Sequence, residues 1–315
     1  MVKVSIVIVN TNGKRFLEEC LSSIYNSETI FNDFEVIMVD NNSIDGSVEY
    51  VKKNFPKVKI LLNKKNLGFA KSNNIGIKAS SGDFIVLLNG DTVVTPYWLA
   101  HMINAAESDT KVGIVGPKTL KFNSNTIDTT GHIFDHRFGD AINRGSNEID
   151  KGQYDFDTNV FGVQFSCVLI KREVIDSVGL LDEKIFLYME DVDYCLRARI
   201  LGWKILYCPL SVIYHYGGGS TPMAKSWKIR KLGVTHRLRL VLKNYDTWNM
   251  LKWGIFGFAF CLKAIAASIK NRTWDLLLCY SYAFVWNLLN LPIKERIEVQ
   301  RKRVVSDSDI FKFNT

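Results

Sequence analysis

The chain has 315 residues, of which 47% are hydrophobic and 23% are charged. This composition excludes a disordered chain, and the length predicts one globular domain with a further segment added to it. The net charge of +8 is uneven, because residues 225–315 hold 17 Lys and Arg against 6 Asp and Glu, whereas residues 1–224 hold 23 against 26. The basic excess therefore lies in the C-terminal segment, where we expect a different kind of surface.

The N-terminal half alternates short β-branched runs with amphipathic helical stretches. Such alternation predicts an α/β fold with a mostly parallel, Rossmann-like sheet that is covered by helices on both faces. The predicted strands are 5–9, 35–39, 58–62 and 84–88. The predicted helices are 12–25, 45–54 and a third that follows a turn at 66–68 and runs to about residue 79.

Polar residues collect where three of these strands end. Asn10 ends the first strand, Asp40 to Asn42 follow the second, and Asn89 to Asp91 follow the strand 84–88. In an open parallel sheet the carboxyl edge is where ligands bind, because loops and helix N-termini meet there. Capping of the following helices is an alternative role for any one of these residues.

Residues 117–165 are rich in turns and glycine, and we expect an irregular excursion over the sheet. Regular structure returns with a predicted strand at 165–170, helices at 172–178 and 188–201, and a strand at 204–208.

The six cysteines form no Cys-x-x-Cys pair and no histidine-containing zinc cluster, so we expect reduced, mostly buried thiols. The N-terminus lacks a signal-peptide pattern, which predicts a cytoplasmic location for this part of the chain.

Three segments hold candidate chemistry. Asn89 and Asp91 offer oxygen ligands on a tight turn, which suits a hard divalent cation that bridges phosphates. Glu190 and Asp191 open a helix without a basic partner nearby in sequence, so one can serve as a general base, although acids also stabilise helix N-termini. Asp193 can pair with Arg197 four residues later.

His215 stands in the glycine-rich stretch IYHYGGGST. It can bind a metal or a phosphate there, although a single histidine beside aromatic residues is more often a packed one.

Together these segments resemble the inverting family-2 glycosyltransferases of the GT-A fold, in particular the rhamnosyltransferase-like members that build bacterial polysaccharides. The resemblance covers about residues 2–243. It rests on six motifs that occur in one order: VSIVIVNTNG, VDNNSIDGS, NLGFAKSNNIG, LLNGDT, FLYMEDVDYCLRARILGWKI and YHYGGGS.

The resemblance implies a set of site residues. Asp191 is the implied catalytic base, with Glu190 beside it as a second candidate. Asp91 is the implied metal-binding acid, and His215 a further metal or phosphate ligand. The implied donor-binding residues are Asn10, Asp40, Asn42, Gly68, Phe69, Asn74 and Asn89, with Asp40 on the nucleotide base. Asn89 stands where the family usually has an acid, which predicts weaker binding of Mg²⁺ or Mn²⁺.

The implied reaction moves a sugar from a nucleotide-sugar, of the UDP or dTDP type, to a glycan or a polyprenyl-linked glycan, with inversion. It would belong to cell-envelope polysaccharide synthesis. A sugar-phosphate nucleotidyltransferase is a rival, but the loop after the first strand, VNTNGKRF, lacks the expected Gly-rich, Arg-containing pattern. A non-catalytic, membrane-bound sugar-nucleotide scaffold is a second rival, and it would not need the acids at 91 and 191.

The chain is expected to divide into a catalytic domain at 1–224, with donor binding in 1–115 and the acceptor side in 116–224, and a helical region at 225–315. The uncharged runs 253–262 and 276–291 hold ten and sixteen residues, fewer than a helix needs to span about 30 Å of hydrocarbon.

We therefore expect basic helices that lie on an anionic membrane surface, at the cytoplasmic face of the cell membrane, in a peripheral or monotopic manner. Packing on the catalytic domain or a homodimer are alternatives. No nucleic-acid-binding motif accompanies the basic charge.

Overall fold

The computed structural model describes residues 3–27, 33–217 and 227–314. The strands are β1 (Val4–Asn10), β2 (Phe34–Asp40), β3 (Lys59–Leu62), β4 (Phe84–Asn89), β5 (Thr92–Val94), β6 (Val112–Lys121), β7 (Ile127–Thr129), β8 (His132–Asp135), β9 (Asp140–Asn143), β10 (Thr158–Asn159), β11 (Cys167–Lys171) and β12 (Lys204–His215). The helices are α1 (Lys14–Asn26), α2 (Ser47–Asn54), α3 (Phe69–Ala79), α4 (Trp98–Glu107), α5 (Arg172–Val178), α6 (Glu190–Ile200), α7 (Trp227–Asn244), α8 (Thr247–Lys270), α9 (Trp274–Leu289), α10 (Ile293–Lys302) and α11 (Asp307–Ile310), followed by a 3-10 turn at Phe311–Asn314.

A ten-stranded sheet forms the centre of the molecule, in the order β10-β12-β6-β11-β4-β1-β2-β3, with β5 paired to β12 and β7 to β6. The strands β4, β1, β2 and β3 run parallel, and β6 and β12 form a second parallel pair. Between these two groups β11 is antiparallel to both neighbours. The predicted α/β fold with a mostly parallel sheet is confirmed.

Helices cover both faces of the sheet because the central strands are apolar on both sides. On one face, α1 and α4 pack through Leu17, Leu21 and Trp98, which are fully buried. On the other, α3, α5 and α6 contribute a second core that includes Ile77 and Tyr194. Burial on both faces explains why β1 reads VSIVIVN without polar alternation.

The prediction of irregular structure at 117–165 was wrong in part. Strand β6 extends to Lys121, and four short strands, β7 to β10, follow within this segment. Two of them, β8 and β9, pair as an antiparallel hairpin. Each of the four has only two to four residues, which is too short to give a readable period in the sequence.

All six cysteines are buried and unpaired, as predicted.

Helix α6 begins at Glu190 rather than at the predicted residue 188. Tyr188 and Met189 adopt left-handed backbone conformations, with φ of 65° and 77°, and therefore cannot belong to the helix. The acidic pair thus stands at the first turn of α6, directly after a strained turn.

The C-terminal helices α7, α8 and α9 form a bundle that packs on the catalytic part of the chain. A third apolar cluster joins α6 to this bundle through Leu196, Leu240 and Tyr245. A buried ion-pair network reinforces it, since Lys243 Nζ lies 2.6 Å from Asp182 and 2.7 Å from Asp193. The predicted boundary after residue 224 falls in 218–226, outside the described residues.

The apolar stretches of the tail are longer as helices than as uncharged runs. In the described part of the chain, the 24-residue α8 is long and apolar enough to cross a bilayer, and the bent pair α9–α10 would be so if counted as one span. The expectation that both segments are too short to span was therefore wrong for α8 by length. The sequence prediction counted only the uncharged residues between Lys252 and Lys263. Both lysines lie inside α8, so the helix is longer than the uncharged run.

Candidate active site

A cavity of about 470 Å³ opens at the carboxyl edge of the parallel strands. Eight of the residues predicted for the site line it: Asn10, Gly68, Phe69, Asn89, Asp91, Glu190, Asp191 and His215. The ends of the strands and the turn before α6 both supply lining residues. The parallel topology brings these residues together, because β1 and β4 are neighbours that end at the same edge.

Asn10, at the end of β1, organises the first loop. Its Nδ2 donates to Asp40 Oδ1 (2.8 Å) and Ser47 Oγ (2.8 Å), and its Oδ1 accepts from the backbone N–H of Gly13 (3.1 Å). Asp40 also accepts from the backbone N–H of Ser43 (2.9 Å). Asp40 is buried and is not among the described residues that line the cavity, and its hydrogen bonds hold the loop.

The resemblance implies donor binding by Asn42, whereas the structure places the adjacent Asn41 at the cavity. Asn42 is exposed, with φ of 63°, and is not among the described residues that line the cavity. Asn41 lines the cavity instead, and it is buried, with Ser72 Oγ donating to its Oδ1 at 2.6 Å. The left-handed turn at residue 42 rotates that side chain outward.

Gly68 lets the loop before α3 approach the turn before α6. A Cβ at residue 68 would lie 2.5 Å from the carbonyl oxygen of Phe186, and the φ of 82° also favours glycine. The backbone N–H of Phe69 donates to the same carbonyl at 2.8 Å. Glycine is therefore required here for the fit between the two loops.

Donor binding by Asn74 stays a prediction, and the structure shows which groups its side chain contacts. Its Nδ2 donates to the carbonyl of Leu181 (2.9 Å), and its Oδ1 accepts from the N–H of the same residue (3.0 Å). Both amide groups are thus used to fasten α3 to the loop that precedes α6. Asn74 is buried and is not among the described cavity-lining residues.

Asp91 and His215 face each other across the cavity floor. The Nε2 of His215 lies 3.5 Å from Asp91 Oδ1, and its Nδ1 lies 2.9 Å from Asp128 Oδ2. Burial by itself would lower the pKa of His215, but its hydrogen bonds to Asp128 and Asp91 raise that pKa to about 9. Strand β12 holds His215 in place, because the residue pairs with Thr92 of β5.

These residues fit a divalent cation that shares its coordination with a substrate. A buried carboxylate and an imidazole stand side by side, with Asp128 behind the ring in the position that usually orients a metal-bound histidine. Within the described ranges, no group of three or more His, Cys, Asp or Glu side chains could hold a metal by itself. A cation that keeps phosphate and water ligands needs no such group.

The two acids at the start of α6 have different environments. Asp191 is 17% exposed, accepts from the N–H of Val192 (2.8 Å) and lies 3.9 Å from His132 Nε2. Glu190 is buried, and its Oε2 has no hydrogen-bond partner in the described residues. Burial, and secondarily the charge of Asp191, raises the pKa of Glu190 well above its usual range. Burial therefore favours the neutral form of Glu190.

The third acid, Asp193, has a structural role. Its carboxylate accepts from Arg197 Nε at 3.0 Å, as the spacing predicted, and from Asn244 Nδ2 at 2.7 Å. Burial would raise the pKa of Asp193, but the charges of Lys243 and Arg197 hold it below its usual range. Asp193 is fully buried and cannot reach an acceptor hydroxyl.

Sequence reasoning missed Asp128 and His132, which stand behind the predicted metal and base residues. Both lie in the segment that was expected to be irregular, and no local pattern marks them. His132 is buried, and burial lowers its pKa although Asp191 opposes the shift. Phe186, which meets Gly68, was also missed, although its position shortly before the acidic pair gave a signal.

A mostly parallel sheet, with an acid after β4 and an acidic turn before α6 at the same cavity, is the architecture of the GT-A fold. Residues 5–179 match the family model described as "Glycosyl transferase family 2". The chain belongs to glycosyl transferase family 2, which confirms the resemblance drawn from its motifs.

Curated relatives are similar over part or all of the chain. The uncharacterized protein y4gI of Sinorhizobium fredii is 28% identical over 69% of this chain, and the chain spans 25% of it. The Mycobacterium tuberculosis N-acetylglucosaminyl-diphospho-decaprenol L-rhamnosyltransferase is 25% identical over 59% of this chain and 67% of its own length. A dolichyl N-acetyl-alpha-D-glucosaminyl phosphate glucuronosyltransferase of Methanococcus voltae, which transfers a 2,3-diacetamido sugar, is 23% identical over 93% and 88%.

Solved structures share the fold. GalNAc-T7 with UDP, GalNAc and Mn²⁺ matches with a TM-score of 0.68 at 16% identity, over 99% of this chain and 56% of that one. The Pyrobaculum calidifontis mannosyltransferase PcManGT with GDP-Man and Mn²⁺ matches with a TM-score of 0.57 at 15% identity, over 91% and 87%.

Proposed function

We propose that the protein transfers a hexosyl or rhamnosyl residue from a UDP- or dTDP-sugar to a lipid-linked glycan, with inversion, in cell-envelope glycan synthesis. The observation that carries the proposal is that Asp91 and Asp191 line the same cavity. An inverting transfer needs the leaving diphosphate and the acceptor base on opposite faces of the sugar. We assign the diphosphate side to Asp91 and the acceptor side to Asp191.

The donor nucleotide is assigned to the wall formed by β1, β2 and the loop before α3. Asn10, Gly68 and Phe69 line this wall, and Asn89 adjoins the diphosphate position. Asn41 takes the role that the motif gave to Asn42. Asp40 stays the candidate for contact with the base, and its fixed position behind Asn10 would make it sensitive to which base is bound.

Asp91 and His215 are the residues that would hold a divalent cation, and Mn²⁺ suits this carboxylate and imidazole pair better than Mg²⁺ does. The bound cation would supply charge neutralisation for the diphosphate leaving group. Two of the solved neighbours contain Mn²⁺ beside a nucleotide or nucleotide-sugar, which supports this choice.

Asp191 accepts the proton of the acceptor hydroxyl as the hydroxyl oxygen attacks the anomeric carbon and the bond to the nucleotide diphosphate breaks. Glu190 stands beside it as the second candidate base, but burial raises its pKa and favours its neutral form. The left-handed turn at Tyr188 and Met189 presents both acids, and His236 Nδ1 holds it by donating to the carbonyl of Tyr188 (2.9 Å).

The lipid-linked acceptor is supported by the names of two relatives, which act on decaprenyl- and dolichyl-linked sugars. The proposed location is the cytoplasmic face of the membrane, with the bundle as a peripheral anchor. On the exposed side of α8, Lys252, Lys263 and Lys270 recur at spacings of 11 and 7 residues, so they form one stripe. Exposed Ile255 and Leu262 flank it, as in helices that lie in a membrane interface.

Packing favours an anchor that lies on the membrane over one that crosses it. Gly254 and Gly257 let α8 approach Leu242 and Leu238 of α7 closely. Helix α7 is itself fixed to the catalytic part through the ion pairs of Lys243. If α8 crossed a bilayer, it would have to leave these contacts.

The proposal is tested by screening UDP-, dTDP- and GDP-sugars with Mn²⁺ or Mg²⁺ for thermal stabilisation and for donor hydrolysis. One nucleotide-sugar is expected to stabilise the protein only when the cation is present. Asp91→Asn should remove the cation-dependent stabilisation and reduce the affinity for the cation about 10- to 100-fold. Stabilisation that is equal without the cation, or unchanged in Asp91→Asn, would contradict the metal assignment.

A further inference from the structure

A second cavity, of about 300 Å³, lies between the β8–β9 hairpin and the helices α7, α8 and α9. Its walls are largely aromatic, with Phe138 on the hairpin and Trp253, Phe256 and Phe260 on α8. Phe138, Phe256 and Phe260 are each 41% exposed, so their rings face open space rather than one another alone. An apolar cavity of this size with few polar groups is typical of a ligand site.

The rim of this aromatic groove carries a guanidinium with unused hydrogen-bonding capacity. Arg237 lies 2.7 Å from Asp140 through its NH2 atom. Its Nε is buried and has no acceptor among the residues that the structure describes. A buried N–H of a guanidinium is satisfied best by an anionic oxygen, and phosphate oxygens fit its geometry.

The hairpin connects the groove to the proposed catalytic base. His132 begins β8 and lies 3.9 Å from Asp191, and His136, one residue past the strand, has its ring edge-on to Trp253 at a centroid distance of 5.4 Å. Four strand residues span about 13 Å. The groove therefore begins about as far from Asp191 as a monosaccharide followed by a diphosphate extends.

We propose that the aromatic groove binds the isoprenoid chain of a polyprenyl-diphosphate-linked acceptor. Arg237 contacts the diphosphate at the rim, and the acceptor sugar reaches Asp191 along the hairpin. The inference rests on the proposed transfer to a lipid-linked glycan and assigns the lipid part of that substrate to its own site. It gives the bundle a role in substrate binding besides membrane attachment.

Photo-crosslinking with a benzophenone-bearing farnesyl diphosphate tests the location. The donor cavity is first saturated with UDP and Mn²⁺, so that the diphosphate of the probe cannot occupy it. Crosslinks are expected in peptides that contain Phe138 or residues 253–261, with competition by farnesyl diphosphate and none by inorganic diphosphate. Crosslinks confined to other peptides, or competition by inorganic diphosphate alone, would overturn the assignment.

Kinetics with detergent-solubilised acceptors test the function of the groove. Phe260→Asn should lower kcat/KM for a polyprenyl-linked acceptor about tenfold, since it removes the contact between the ring and the bound isoprenoid. Trp248→Asn is the matched control, because Trp248 is an aromatic residue of the same helix that is 75% exposed and outside the groove. Equal kcat/KM for Phe260→Asn and wild type would overturn the assignment of the groove to the isoprenoid chain and leave the proposed function standing.

Two further outcomes separate the alternatives. If the wild-type protein hydrolyses no nucleotide-sugar and transfers to no acceptor, the proposed function fails, whereas crosslinking still decides the groove. Sedimentation distinguishes a second copy of this chain as the occupant. A dimer that Phe260→Asn dissociates, with crosslinking by the farnesyl probe absent, would assign the groove to a subunit interface and overturn the proposal.

Discussion

The carboxyl edge of the sheet and the C-terminal bundle use charge in opposite ways. At the sheet edge, Asp91 and Asp191 lie at the walls of a cavity, where their charges can act on a ligand. In the bundle, Arg239 and Lys243 are fully or almost fully buried and neutralise acids of the catalytic part. These two cations of the tail are therefore structural, and the exposed ones are available to a membrane.

The two regions also depend on each other. Lys243 contacts Asp193, which lies two residues after the proposed base, and His236 of α7 holds the turn before it. Burial would raise the pKa of Asp182, but Lys243 and Arg239 hold it far below its usual range. The bundle is thus part of the scaffold that positions the acidic turn, and a chain cut near residue 243 would lose that support.

The largest expected effect tests the sheet edge. Asp191→Asn should reduce sugar transfer about 10³-fold, since a positioned general base contributes about 10²- to 10⁴-fold, while the affinity for the nucleotide stays unchanged. Transfer kinetics measure the rate of sugar transfer, and nucleotide titration measures the affinity for the nucleotide. Asp176→Asn, on the exposed side of α5, is the control. An active Asp191→Asn protein would move the base to another group.

The next effect tests whether the bundle is part of the scaffold. Lys243→Met leaves Asp182 and Asp193 with one cation fewer in a buried network, which should cost about 3–5 kcal/mol and lower Tm by roughly 10 °C. Lys302→Met is the control, because Lys302 is 40% exposed and pairs with Glu298 at the surface. Equal small changes in Tm for both variants would show that the bundle is only loosely attached.

Membrane attachment by the exposed lysines is expected to give an intermediate effect. Replacing Lys252, Lys263 and Lys270 with Gln should weaken binding to anionic vesicles about 100-fold, at about 1 kcal/mol for each lysine. Changing exposed Lys52, Lys53 and Lys57 of the catalytic part to Gln alters the net charge equally and serves as the control. Flotation that falls equally in both triple variants would show that net charge, and not the stripe, drives binding.

The smallest effect tests the neutral state of Glu190. Its pKa in the folded protein, about 8, lies above the ordinary value of 4.5, so the stability it contributes is complete below pH 4.5 and is lost as pH rises through 8. Glu190→Gln cannot ionise, and its Tm relative to wild type should increase by roughly 3–5 °C between pH 5 and pH 9. A Tm difference that is the same at both pH values would show that Glu190 is already ionised at pH 5.

The sequence by itself determined the fold class and eight of the residues that line the cavity. Buried strands on both faces require helices on both sides, and a parallel sheet brings the ends of β1 and β4 to one edge. Asn10, Asn89 and Asp91 follow from that rule. Asp191 and His215 followed from the order of motifs, because they come from distant parts of the chain that no local pattern connects.

Only the tertiary structure decided which of two adjacent asparagines faces the cavity, since a single left-handed turn exchanges Asn41 for Asn42. It also decided the partners of the site, because Asp128 and His215 are 87 residues apart in sequence yet 2.9 Å apart in space. The sequence also could not tell which lysines of the tail are buried. A charge count treats Lys243 and Lys252 alike, whereas burial makes one a structural ion pair and leaves the other on the surface.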